Sequence, residues 1–197
     1  SPKTLRRANM ETFFLTFIGL LLFLESWYIL GFYIESRLLG TVTLIGTIPL
    51  LIGIFLWEIF KLEMIGYSIL SIPSGTALML SLVLYFSLWT IYFITSSLTY
   101  LWSYNSRLLG FISLIIAFYS LIIFGIPWTY PEQQVSNGAA MFMSISAIVL
   151  GIISTMRFFQ LAVPFRYITK MTGWFTLFGS VILLLVAQGI ILKLFNF

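Results

Sequence analysis

The chain contains no histidine, no cysteine and no aspartate in its 197 residues. Each absence removes a branch of chemistry. Without His or Cys there is no haem ligation by either, no iron–sulfur cluster and no zinc site of the usual kind. Without His there is no His-based catalytic triad. No Gly-rich phosphate loop follows a strand pattern. Disulfides are impossible, so the redox compartment leaves no mark on this sequence. Nothing calls for a cofactor or a metal, and a membrane-embedded enzyme would have to work with Glu, Lys, Ser or Tyr. Charge is scarce as well. Charged residues make up 8% of the chain, against roughly 25% in soluble domains.

What is present is apolar. Hydrophobic residues account for 60% of the sequence, gathered into six long runs at about 12–34, 38–60, 76–98, 108–126, 139–163 and 173–194. A hydrocarbon core of about 30 Å needs about 20 helical residues, so each run reads as a membrane span. The runs lack period-2 alternation, which selects helices over a barrel. The predicted fold is therefore all-α, a polytopic membrane protein forming one domain over residues 1–197. The first run is too long for a signal-peptide core and reads as a permanent span. The net charge of +4 is scattered over span ends, with no basic stripe for nucleic acid. The implied partners are the lipid bilayer and either further copies of the chain or unlike membrane subunits.

Short connections suggest order within the six spans. Glu35-Ser36-Arg37 is a turn between the first two, which forces an antiparallel hairpin. Tyr100 to Arg107 and Pro164 to Thr172 join the third to the fourth and the fifth to the sixth. A word recurs at these places. Ser36-Arg37-Leu38-Leu39-Gly40 opens the second span and Ser106-Arg107-Leu108-Leu109-Gly110 opens the fourth, with Lys170-Met171-Thr172-Gly173 as an echo at the sixth. The chain reads as three tandem helical hairpins around a pseudo-threefold axis. Bases divide almost evenly between the two faces; the three-base segment Lys3, Arg6 and Arg7 favours cytoplasmic termini.

Polar groups inside spans are expensive and default to functional hypotheses. Glu25 lies near the middle of the first span. Arg157, in the fifth, is placed either to pair with Glu25 or Glu58 or to extend toward the headgroups. Glu58, close to Lys61, reads as an interfacial pair. Gln188 sits deep in the last span, offering a donor and an acceptor to a solute or to a neighbouring helix. Trp57, Trp102, Trp128 and Trp174 fall at span ends as an interfacial belt, while Trp27, Tyr28, Tyr85 and Trp89 lie further inside. Tyr85 and Trp89 are candidates to narrow a solute path. Both Glu25 and Gln188 are expected to face the interior.

Several words resemble the SatP/YaaH acetate uptake transporters. Ala8-Asn9 is similar to the start of that family's Asn-Pro-Ala-Pro-Leu-Gly-Leu motif. Leu56-Trp57-Glu58, with Lys61 and Gly66, resembles its Trp-Glu element and following Gly. Pro73-Ser74-Gly75 stands where the family carries Ser-Tyr-Gly, and Gly173-Trp174 resembles the opening of its last helix. The resemblance implies an oligomeric, channel-like carrier for acetate or other small monocarboxylates. The three-hairpin plan is also similar to that of proton-gated urea and amide channels. Two functions therefore stand: a small-solute channel or secondary carrier, and a non-catalytic subunit of a larger membrane assembly such as a respiratory or oxidase complex.

Overall fold

The computed structural model describes residues 2–192, apart from 33–34, 66–73, 104–105, 130–136 and 163–164, with side chains described within 12–56, 81–125 and 141–189. The described residues form six α-helices and no strand: α1 (Pro2–Leu30), α2 (Ser36–Ile65), α3 (Ser74–Trp102), α4 (Ser106–Thr129), α5 (Asn137–Ala162) and α6 (Arg166–Leu192). Each contains a window long and apolar enough to cross a membrane. The outward faces are bare hydrocarbon: Leu121, Phe55 and Phe118 are each more than 60% exposed. So broad an apolar surface suits acyl chains, not water.

The helices outrun the apolar runs. At 24 to 30 residues and 1.5 Å per residue they reach about 36–45 Å. The segment of Lys3, Arg6 and Arg7, which reads as a tail, is backbone helix in α1, and α6 begins at Arg166 rather than near 173. Hydropathy marks where a span becomes apolar; a helix continues through the headgroup layer beyond it. The reverse error occurs at the end of α1. Gly31-Phe32-Tyr33-Ile34 looks like span, yet the helix stops at Leu30. Gly31 takes φ +80°, and its N–H donates to the Tyr28 carbonyl while that of Phe32 donates to Trp27. That is the Schellman way of ending a helix. Ser103, directly after α3, adopts the same left-handed conformation at φ 55°.

Each helix packs on its neighbours in the chain, and α6 returns to α1, closing a ring. The connections 31–35, 103–105 and 163–165 make three antiparallel hairpins with their tips on one face. The second and third tips are shorter than the sequence suggests, because residues 100–102 and 166–172 are helical; the first lies at 31–35 instead of 35–37, because α1 stops at Leu30 and α2 opens at Ser36. The broadest seams, however, lie between hairpins: α2 on α3, α4 on α5, and α6 on α1. The repeated word explains this. In all three copies the base and the next residue are exposed, and the two that follow are buried: Leu39-Gly40, Leu109-Gly110 and Thr172-Gly173. Each buried Gly faces the end of the next odd-numbered helix. A Cβ on Gly40 would meet Leu101 Cγ at 2.8 Å and the Ser97 carbonyl at 3.1 Å; on Gly173 it would meet Leu30 at 2.7 Å; on Gly110 it would meet only Leu161, at 3.5 Å. Small residues let helices approach in lipid, where no hydrophobic force drives them together.

These distances rank Gly40 against Gly110. Gly40→Ala is expected to destabilise the bundle by about 1–3 kcal/mol, because a backbone oxygen stands in the way. Gly110→Ala should be neutral. Thermal unfolding of the two variants in detergent checks the order, and equal losses would contradict it.

Large side chains fill the inside of the ring. Phe14, Ile18, Leu22, Phe93, Ile116 and Leu150 are fully buried, and Trp89 is 1% exposed. α1 and α3 meet across the ring mainly through long side chains, among them Phe14 stacked on Phe86 with centroids 4.5 Å apart.

Candidate functional site

Glu25 and Arg157 form an ion pair, with the Nη2 of Arg157 donating to Oε1 of Glu25. Their side chains are each 3% exposed. Helix register brings them together. Glu25 and Arg157 each stand five residues before the last residue of their helix, as does Ser97 on α3. Equivalent positions of the three hairpins thus carry an acid, a hydroxyl and a base. The hydroxyl of Ser97 donates to the Gly40 carbonyl across the α2–α3 seam, 2.6 Å away. Glu25 therefore lies about 8 Å of helix rise from the tip end of α1.

α3 supplies the rest of the shell. Ser96 donates to Oε1 of Glu25 at 2.8 Å, and Tyr100 donates to the same oxygen at 3.1 Å. Tyr92 donates to the carboxylate, 3.0 Å from Oε2 and 3.2 Å from Oε1. The two tyrosine oxygens also accept from Arg157: Tyr92 from Nε at 2.8 Å and Tyr100 from Nη2 at 3.3 Å. Gln160, one turn along α5, accepts from Nη1 at 2.8 Å. Burying two charges costs several kcal/mol per ion unless the pair is well hydrogen-bonded, and this shell meets that demand.

The shell is saturated on one side only. Among the described residues, Oε1 of Glu25 has four donors around it, whereas Oε2 has Tyr92 alone. Arg157 has five N–H groups. Four hydrogen bonds use four of them, which leaves one Nη1–H without an acceptor among the described residues. One donor of the buried guanidinium and one oxygen of the carboxylate thus keep hydrogen-bonding capacity that the described residues leave unused.

The other candidates fall elsewhere. Tyr85 and Trp89 are buried, at 2% and 1% exposure, on the far side of the pair from the tips. Tyr85 shares a hydrogen bond of 2.6 Å with Ser120. Trp89 packs edge-on against Tyr92 with centroids 5.3 Å apart, and its Nε1 has no hydrogen-bond partner of good geometry. Tyr85 and Trp89 both belong to the buried core cluster. Gln188 does not face the interior. It is exposed on α6 between the buried Ala187 and Gly189, because the helix turns its 3.6-residue face away at that position. Trp27 is 42% exposed, so it too points outward. Trp102, at the tip-side end of α3, and Trp174, in the third turn of α6, are 64% and 47% exposed. The side chains of Trp57, Glu58, Lys61 and Trp128 lie outside the described residues.

Sequence reading missed Tyr92, Ser96, Tyr100 and Gln160. Tyr100 was hidden because it reads as the start of a loop. Helical spacing held a signal for three of the four: Tyr92, Ser96 and Tyr100 recur every four residues on one face of α3. Apart from this site, an apolar groove of about 540 Å³ runs between α4 and α5, lined by residues such as Ala117, Phe118, Leu121, Ile148, Gly151 and Ile152.

Fold and site together define a multi-pass α-helical membrane protein with a buried ion pair. Compared with models of known protein families, with curated proteins and with solved structures, the chain finds no match.

Proposed function

We propose that this protein is a secondary carrier for small monocarboxylates, in which Arg157 anchors the solute and Glu25 carries a proton. The observation that bears the reading is the buried Glu25–Arg157 pair with its spare Nη1–H. An intramembrane ion pair in a pathway protein holds a place for a charged solute. The solute's carboxylate first meets the spare N–H, then takes the place of Glu25 on the guanidinium. Glu25 leaves as a neutral acid once Oε2 is protonated. The site holds one positive and one negative charge before and after, so no uncompensated charge is left in the membrane. The packed interior favours a carrier over an open channel, since Phe14, Leu22 and Phe93 leave no standing path along the axis among the described residues. The likeness to acetate uptake transporters agrees with this class of solute. With cytoplasmic termini, the hairpin tips face outward and the proton and solute move in together.

The same packed interior also favours the rival reading, a non-catalytic subunit of a larger membrane complex. Uptake into proteoliposomes separates the two. Lactate is a suitable probe, because its acid form crosses bare lipid slowly. Saturable uptake above empty liposomes is expected, faster with acid outside. Arg157→Gln should lower it by about ten- to a hundredfold, the equivalent of one charge-assisted hydrogen bond. Flux equal to that of empty liposomes, with unlike subunits co-purifying, would decide for the subunit.

A further inference from the structure

We infer that the Glu25–Arg157 site is reached from the face that carries the hairpin tips, and that Tyr28, Tyr100 and Gln160 are the residues a solute must displace and the ones that set its size. The identity of the solute rests on the carrier reading; the route does not.

The pair lies between two unlike layers. On the far side Leu22, Trp89, Phe93 and Ile153 are each 0–1% exposed, with the Phe14–Phe86 stack beyond them. On the tip side the described residues that cover the pair are Tyr28, Tyr100 and Gln160. All three are half-buried, in contrast to the layer below. Tyr28 stands edge-on to Tyr100, with centroids 5.0 Å apart and an interplanar angle of 71°. Tyr100 and Gln160 touch the pair directly, through the bonds to Oε1, Nη2 and Nη1. The unused Nη1–H is on the nitrogen that Gln160 holds. Among the described residues, rotation of these side chains uncovers the guanidinium on this side, whereas on the far side it is sealed by the fully buried layer.

Charge points the same way. The tip face exposes Arg37, Arg107, Arg166 and Lys170 against Glu35 among the described residues. A rim with four bases to one acid concentrates anions above this cover. Rings in edge-on contact have to part for a solute to pass, and a bulkier acid has to part them further.

The absence of cysteine makes the test clean. Single-cysteine variants in sealed vesicles are treated with an anionic, membrane-impermeant methanethiosulfonate. Glu35→Cys marks the tip face. Gln160→Cys is expected to label from that same side only, and addition of Tyr28→Ala to raise its rate by about tenfold, as when a lid open about a tenth of the time is removed. Ile153→Cys, a small change within the far layer, should resist the reagent from both sides. Labelling of Gln160→Cys from the opposite face, its failure to label from either, or fast labelling of Ile153→Cys from the far side would each overturn the route. Lactate should slow the labelling of Gln160→Cys. Tip-side labelling that lactate leaves unchanged upholds the route while rejecting the monocarboxylate.

Discussion

Arg157→Met is expected to destabilise the bundle by about 3–5 kcal/mol, because it leaves Glu25 buried without its counter-ion. The surviving donors, Tyr92, Ser96 and Tyr100, are neutral hydroxyls on α3 and do not cancel a charge. The loss should shrink in acid, since a neutral carboxyl costs less to bury than a carboxylate. The double variant Glu25→Gln with Arg157→Met should recover most of the stability, because replacing both members of a buried pair is often neutral. Unfolding of the single and double variants in detergent, at neutral and acidic pH, measures all three statements. A single variant as stable as the parent would mean that the pair is solvated in the membrane.

Glu25→Gln alone has the opposite character. It removes the internal competitor for Arg157 and keeps an oxygen for Ser96 to donate to. The guanidinium is then a buried cation in want of an anion. Lactate or acetate should bind about ten- to a hundredfold more tightly than to the parent, the worth of the displaced charge-assisted bond. The same anions should raise the melting temperature of the variant more than that of the parent, by mass action. Transport should lose its dependence on pH. Tighter binding with pH-independent flux separates a solute site from a structural pair, for which added carboxylates would have no effect.

These expectations rest on residues that were unequally visible in the sequence. The six spans stood out because acyl chains demand apolar length, and the repeated base-x-x-Gly word marked the hairpin tips. Glu25 and Arg157 stood out because charge is rare in a span, and each had only a few possible partners. Gln188 misled for a related reason: depth along a helix can be read from hydropathy, but angular position cannot, once both faces are apolar. Tyr100 was lost when a short polar stretch, Ser103-Tyr104-Asn105, read as a longer loop than the one that forms. The seams between hairpins were invisible as well. Which neighbour a buried Gly meets, such as Gly40 against Ser97 and Leu101, is a matter of three-dimensional closure, and no local pattern encodes it.

The central claim is that a solute carboxylate and a proton exchange places at Glu25 and Arg157. Proton uptake on solute binding tests it most directly. Acetate is added at neutral pH to purified protein in weakly buffered detergent, and the pH change is compared with the amount bound. About one proton should be taken up per acetate bound by the parent chain, and none by Glu25→Gln. Binding by the parent without proton uptake, or equal uptake by both proteins, would contradict the account.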